Sequence, residues 1–366
     1  MKANLYISII LLAGIVQGAF LSAVLLTLPR GNKAANKILG TIILLFSSMI
    51  LPHIKLSAGN VYSENFAGQY IIHMIFFLVP PLILYYVRFL TEEFKLKVKD
   101  SFHFLPFVLL LLLFIFFSAF NVENNTWRTA GIFMTYLIVV QFIFYLYFSL
   151  RLLKIHRENI EQSYSYSEKI NLNWLRFLIW GQIIVWISFL IVEGIKIEPH
   201  EIMWIPLALF IYLMGYFSMR QPEVFAGNII SNEIKTDEVP KKKYAKSALS
   251  KEMSEVYYCR LMEIMKNKKP YLKNDLTLQS LASLLSISNH HLSQVINEKL
   301  NQNFFEFVNS YRIEEAKALL SDPKKNHLTM AAVAFEAGFN SVSSFNTVFK
   351  KLTNITPSGF RNLYKR

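Results

Sequence analysis

Residues 338–361 read GFNSVSSFNTVFKKLTNITPSGFR, and their order of turn formers, caps and apolar positions decides the fold of the end of the chain. Gly338 predicts a tight turn, because a residue without Cβ reaches conformations closed to others. After it, Phe345, Val348 and Phe349 recur at the spacing of one helix face, and Ser341 precedes them as a helix start. Thr356-Pro357 then opens a last short helix, with threonine as cap and proline in the first turn, where a missing N–H costs nothing.

Just before this run, Thr329 caps a preceding helix with Met330, Val333 and Ala334 on one face, so the segment reads as helix, turn, helix. A second copy lies upstream. Thr277 caps Leu278, Leu281, Ala282 and Leu285; a turn follows at Ser286-Ile287; Ser288 caps a helix with Leu292, Val295 and Ile296 inward. The copies superpose at an offset of 52 for the first helices (Leu281 on Val333, Ala282 on Ala334) and 53 for the second (Leu292 on Phe345, Ile296 on Phe349). Alanine at both matching positions suits two helices crossing closely after a short turn. Between the units, Phe304–Leu320 predicts a connecting helix of about 25 Å at ~1.5 Å per residue, with Phe304, Phe307, Val308, Tyr311, Ala316, Leu319 and Leu320 on its apolar face.

The quoted run resembles the C-terminal signature of AraC-family transcription regulators. Gly338, Phe339, Ser341, Ser343, Phe345, Phe349, Lys350, Lys351, Thr356, Pro357, Phe360 and Arg361 fit it, and the resemblance extends over roughly Tyr271–Tyr364. Two positions depart: Asn354 replaces a usual glycine, which asparagine's tolerance of the left-handed conformation makes mild, and Thr347 stands where arginine often sits. The resemblance implies that the second helix of each unit enters the major groove of double-stranded DNA, in successive segments about 34 Å apart on one face. Candidate base contacts are then His290, Ser293, Gln294 and Asn297 in the first unit and Val342, Ser343, Asn346 and Thr347 in the second. Gln294 and Asn346 suit bidentate reading of adenine, and Val342 suits a thymine methyl. Phosphate contacts are expected from the helix starts at Ser288 and Ser341 and from Lys299, Lys350 and Lys351.

The rest of the chain has a different character. Of 366 residues 53% are hydrophobic, yet the net charge is +13. Residues 1–220 carry 17 Lys+Arg against 11 Asp+Glu; residues 221–366 carry 21 against 14, so both halves are basic. The first half holds seven stretches near the length of about 20 apolar residues that a bilayer requires: Leu5–Leu28, Ile38–Leu56, Phe66–Leu90, Phe102–Phe120, Thr129–Leu153, Leu172–Ile195 and Ile202–Met219. Eleven basic residues fall in the loops after helices 1, 3 and 5 (Arg30, Lys33, Lys37, Arg88, Lys95, Lys97, Lys99, Arg151, Lys154, Arg157, Lys169). Four fall on the other side (Lys2, Lys55, Arg128, Lys196). The bias orients the N-terminus outside and the C-terminus inside, as an odd number of crossings requires. The 24-residue first run, with its main basic cluster behind it, reads as a span and not a cleaved leader. Seven membrane helices joined to a DNA-binding module are also a known arrangement in the family.

The expected fold class is therefore all-α: a seven-helix transmembrane bundle (1–220), a basic juxtamembrane linker (221–251) containing Pro240, Lys241–Lys243 and Lys246, and a soluble domain (252–366) of two helix-turn-helix units joined by a long helix. Met253, Val256, Tyr257, Leu261, Ile264 and Met265 form a helical stripe that packs on the following domain or on a second chain. Prolines at 52, 80, 81, 106 and 206 end or kink helices. His53, His73, Glu193 and Trp204, with Lys55, Trp127, His200 and Glu201 nearby, gather toward the outer face as a ligand-sensing candidate, since ionisable groups in a membrane mark sites. Lone Cys259 leaves no intrachain disulfide.

The function expected is a membrane-bound, sequence-specific transcription regulator, not an enzyme, without metal or cofactor, in a bacterial cytoplasmic membrane with its DNA-binding domain in the cytoplasm. Its partners are double-stranded DNA, the lipid bilayer and a signal ligand; RNA polymerase and a homodimer partner are compatible with it. The alternative is an integral-membrane transporter or enzyme with an appended interaction domain, but the sequence has no H-E-x-x-H, G-x-S-x-G, P-loop or dinucleotide fingerprint.

Overall fold

The computed structural model describes residues 2–29, 31–56, 59–60, 74–92, 94–120, 122–166, 172–195, 200–220 and 249–364. The linker from 221 to 248 and His73 lie outside the described residues. The chain divides into two units: Met1–Lys154 with Leu172–Thr236, and Ile155–Asn171 with Asp237–Arg366.

The first unit is built from helices α1 (Lys2–Thr27), α2 (Lys33–Ile50), α3 (Val79–Thr91), α4 (Leu105–Ala119), most of α5 (Asn124–Ser163), α6 (Asn173–Ile195) and α7 (Ile205–Arg220). Two-residue strands, Lys55–Leu56 and Gly59–Asn60, pair antiparallel. Among the described residues, six helical segments are long and apolar enough to cross a membrane, and the seventh stretch, Ile202–Phe217, is a shorter apolar helix.

Small residues set the packing of α1. A Cβ at Gly14 would stand 2.9 Å from the Ala208 Cβ of α7, and one at Gly18 would stand 2.0 Å from the Ser47 Oγ of α2. Backbones that approach this closely associate by van der Waals contact, the main attraction left to helices in lipid. The outer faces remain apolar: Leu109, Leu112, Ile115 and Phe116 of α4 and Phe133, Tyr136, Val140 and Tyr147 of α5 are exposed. A belt of this extent suits hydrocarbon and not water.

Pro80 and Pro81 occupy the first turn of α3. Proline 81 has no N–H to give the Phe77 carbonyl four residues back. That carbonyl instead accepts from Gln141 Nε2 of α5 at 3.2 Å, so the break in the helix is satisfied by a neighbour.

The second unit holds α8 (Lys251–Lys268), α9 (Leu278–Leu285), α10 (Asn289–Leu300), α11 (Phe304–Ser321), α12 (Met330–Glu336), α13 (Val342–Thr353) and α14 (Pro357–Tyr364). Two helix pairs, α9–α10 and α12–α13, flank α11. One core gathers Leu281, Ala282, Leu292 and Ile296 with Phe304, Phe307 and Val308 of α11; another gathers Val333, Ala334, Phe345 and Phe349 with Ile313, Ala316, Leu319 and Leu320. The long helix thus supplies a separate apolar stretch to each core. The α8 stripe divides: Leu261, Ile264 and Met265 are buried in the first core, while Met253 and Val256 are exposed by 45% and 58%.

Candidate nucleic-acid interface

Each short helix begins where a side-chain oxygen can accept from an otherwise unpaired N–H. Thr277 Oγ1 accepts from Ser280 N–H, Ser288 Oγ from His291, Thr329 Oγ1 from Ala332 and Ser341 Oγ from Ser344, each at 3.1 Å. The oxygens of Ser288 and Ser341 accept as caps, and what these helix starts offer a phosphate is backbone N–H groups, the dipole and the hydroxyl proton that capping leaves free to donate.

The turns are equally specified. Ser286 ends α9 in the left-handed conformation (φ 57°), and Gly338 follows α12 with φ 89°. A Cβ on Gly338 would lie 2.4 Å from the Tyr271 carbonyl oxygen and 2.9 Å from Leu272 Cα, so glycine is required by space as well as by conformation. Asn354 ends α13 at φ 62°, and its N–H donates to the Lys350 carbonyl. Asparagine accepts this conformation at some cost. Asn354→Gly is expected to stabilise the unit by about 0.5–1 kcal/mol, read as a higher denaturation midpoint with an unchanged m-value.

On α10, His290 and Asn297 are exposed and Ser293 and Gln294 half-buried; on α13, Ser343, Asn346 and Thr347 are exposed and Val342 half-buried. Leu292, Val295 and Ile296 hold the opposite face of α10 inward, and Phe345, Val348 and Phe349 do so for α13. The polar faces are partly tied up internally. Gln294 Nε2 donates to Glu298 Oε1 at 2.8 Å, Asn297 Nδ2 to Ser293 Oγ at 3.4 Å and Thr347 Oγ1 to the Ser343 carbonyl at 2.9 Å. Lys299 pairs with Glu255, and Lys351 Nζ with Glu306 Oε1 at 3.2 Å, while Lys350 is exposed. Exposed pairs of this kind are worth about 0–1 kcal/mol, so a phosphate can displace the carboxylate at little cost.

A group that sequence reasoning missed lies between the two helix pairs. Arg312 of α11 is 1% exposed. Its Nε donates to the Tyr271 carbonyl (2.8 Å), Nη1 to the Ser165 carbonyl (2.9 Å) and Asn309 Oδ1 (3.3 Å), and Nη2 to Ser165 Oγ (3.0 Å) and the Lys273 carbonyl (2.8 Å). All three guanidinium nitrogens therefore donate, which is what makes a buried charge tolerable. Burial lowers its pKa to about 10, with Asp275 opposing the shift, so it is charged at neutral pH. A basic residue in a helical apolar pattern carries no periodic signal, and its main acceptor lies 147 positions away.

At the ligand-sensing candidate, the ring of His53 stacks on Trp204 with centroids 4.1 Å apart, and Phe189 meets Trp204 edge-on at 5.0 Å. Trp127 belongs to a different cluster, with Phe114 and Phe117. Glu193 lies in α6, but its side chain, like His73, is outside the described residues. Among the described residues no three His, Cys, Asp or Glu side chains group as metal ligands.

The helix-turn-helix geometry defines a class, and comparison with known proteins agrees with it: the helix-turn-helix domain family model matches residues 281–363. The C-terminal part of this chain is an AraC-type helix-turn-helix domain. It is 34% identical over 122 residues to the uncharacterized HTH-type transcriptional regulator YfiF of Bacillus subtilis (strain 168), covering 33% of this chain and 38% of that one. It is 35% identical over 91 residues to SACOL0084, an uncharacterized HTH-type transcriptional regulator of Staphylococcus aureus (strain COL), covering 25% of this chain and 12% of that one. The chain thus spans well under half the length of these curated relatives. Among solved structures, the C-terminal domain of AraT, a response regulator from Geobacillus stearothermophilus, aligns at 28% identity over 32% of this chain and 88% of its own, with a TM-score of 0.27.

Proposed function

We propose that this protein is a membrane-bound, sequence-specific transcription regulator that reads double-stranded DNA with two helix-turn-helix units, α9–α10 and α12–α13. The observation that carries the reading is the matched pair of capped helices, each with a buried apolar face and an outward polar one on α10 and α13. Base contacts are assigned to His290, Ser293, Gln294 and Asn297 and to Val342, Ser343, Asn346 and Thr347. Phosphates are assigned to the N-termini of α10 and α13 and to Lys299, Lys350 and Lys351. The α1–α7 unit spans the cytoplasmic membrane and delivers a signal to promoter binding, and the His53–Trp204 stack is its candidate sensing site.

The test is binding of the full-length protein, in nanodiscs of zwitterionic lipid, to a duplex enriched from a random library. Three lysines that displace counterions predict a fall in affinity of roughly 40-fold between about 50 and 200 mM salt, following a slope near 0.9 per phosphate. Failure to enrich any sequence, or binding indifferent to salt, would remove the regulator reading.

A further inference from the structure

The second unit is not made only from the end of the chain. Residues Ile155–Asn171, which follow the fifth apolar stretch, group with it. Within this segment Ile160, Tyr164 and Ser165 are buried. Tyr164 forms an antiparallel bridge with Thr277, the cap of α9. Both the N–H (3.3 Å) and the Oγ (2.6 Å) of Ser165 donate to the Leu276 carbonyl. The Ser165 carbonyl accepts from Arg312 Nη1 and from Asn309 Nδ2 (3.2 Å), and its Oγ accepts from Arg312 Nη2. Asn303, the cap of α11, reaches Glu161 Oε2 at 3.5 Å.

Residues 155–166 thus fasten the start of α9 to the middle of α11, and do so through a fully buried charge. Two of the three guanidinium nitrogens of Arg312 find acceptors on Ser165. Arg312 also holds the Tyr271 and Lys273 carbonyls, on the turn that leads into α9. Withdrawal of Ser165 would strand donors of a buried cation and free the N-terminal end of α9 together. The segment is held at both ends by the chain: α5 runs unbroken from Asn124 to Ser163, and α6 begins at Asn173. Both helices are apolar enough to cross a membrane.

We propose that residues 155–166 are a docking strap by which α5 and α6 set the DNA affinity of the first helix-turn-helix unit, seated in the binding-competent state and withdrawn in the weak one. The proposal rests on the regulator reading above and names the internal contact that regulates it. Arg312 acts as a positioning residue, since it holds Ser165 and the turn before α9 and is assigned no contact with DNA.

The test uses the full-length protein in nanodiscs, with the duplex that the wild type enriches as probe. Ser165→Pro removes the N–H given to Leu276; Ser165→Ala removes only the hydroxyl and leaves the carbonyl for Arg312. In Ser165→Pro, amide exchange at Leu276 and Leu281 is expected to accelerate at least tenfold and affinity to fall at least tenfold. The footprint should keep the half covered by α13 and lose the half covered by α10, a pattern that general unfolding does not produce. Ser165→Ala should give the same pattern at about two- to threefold. Wild-type exchange in Ser165→Pro, or faster exchange with an intact footprint and unchanged affinity, overturns the proposal. Loss of both footprint halves in Ser165→Pro with no partial effect in Ser165→Ala overturns it too, leaving a purely architectural strap. If the wild type enriches no duplex, the regulator reading fails and takes the affinity claim with it. The exchange measurement then still decides whether the strap is docked.

Discussion

Arg312→Met is expected to cost the second unit about 3 kcal/mol, and to lower its unfolding midpoint by roughly 10 °C. Methionine fills much of the volume and avoids burying a charge, which offsets part of the loss. It gives up five hydrogen bonds, however, and leaves the Tyr271 carbonyl without the guanidinium N–H it accepts from. Hydrogen bonds to charged groups contribute about 1.5–3 kcal/mol each before that offset. Arg312→Lys is the informative companion: it keeps the charge but cannot fork to carbonyls on three sides, so it should recover less than half of the loss. The measurement is thermal unfolding of the full-length protein with the transition of this unit resolved by amide exchange. A loss below about 1 kcal/mol for Arg312→Met would show that water or rearrangement replaces these bonds.

Gly338→Ala should be as damaging, by a different route. At φ 89° an alanine suffers the left-handed penalty of about 1–2 kcal/mol. Its Cβ would also stand 2.4 Å from the Tyr271 oxygen and 2.9 Å from Leu272 Cα. Both are backbone atoms in a turn that Arg312 grips, so neither can give way as the end of a side chain would. Overpacking of this kind adds about 1–3 kcal/mol, for a total near 2–5 kcal/mol. Gly131→Ala is the internal control: its added Cβ meets nothing within 4 Å, so it should be neutral or slightly stabilising. Equal, small effects at the two positions, read by chemical denaturation, would refute the close-approach argument for Gly338.

The two substitutions touch the same place. Tyr271 lies on the short turn Pro270–Leu272, its carbonyl accepts from Arg312 Nε, and the same oxygen closes the space above Gly338. The turn before α9 and the turn after α12 therefore share one backbone segment, which makes the spacing of the two helix pairs a property of that segment and of α11.

The features legible in the amino-acid order are those that repeat locally. Apart from the left-handed Asn354, which was legible only through the family resemblance, caps at Thr277, Ser288, Thr329 and Ser341, the inward residues of α9, α10, α12 and α13 and the connecting helix from Phe304 all follow from spacings of three to four residues and from turn chemistry. The apolar stretches of the first unit were legible for the same reason, although the seventh forms a shorter helix than a full span. The outward polar faces of α10 and α13 follow once the inward faces are known.

The remaining features depend on contacts between distant parts of the chain. Ile313 lies off the apolar face that the spacing predicts for the connecting helix, yet it joins the second core, because the helix turns its face between two cores. Of the α8 stripe, which the spacing predicts to pack on the following domain or on a second chain, Tyr257, Leu261, Ile264 and Met265 meet the first core, whereas Met253 and Val256 are exposed. Above all, residues 155–166 read as a polar loop between apolar stretches, yet Ser165 sits 1% exposed against Arg312. A buried charge and a backbone carbonyl 147 positions apart share no periodicity and no local motif. Their meeting follows from the need of a guanidinium out of water to find acceptors, and that need can be met only when the chain has folded.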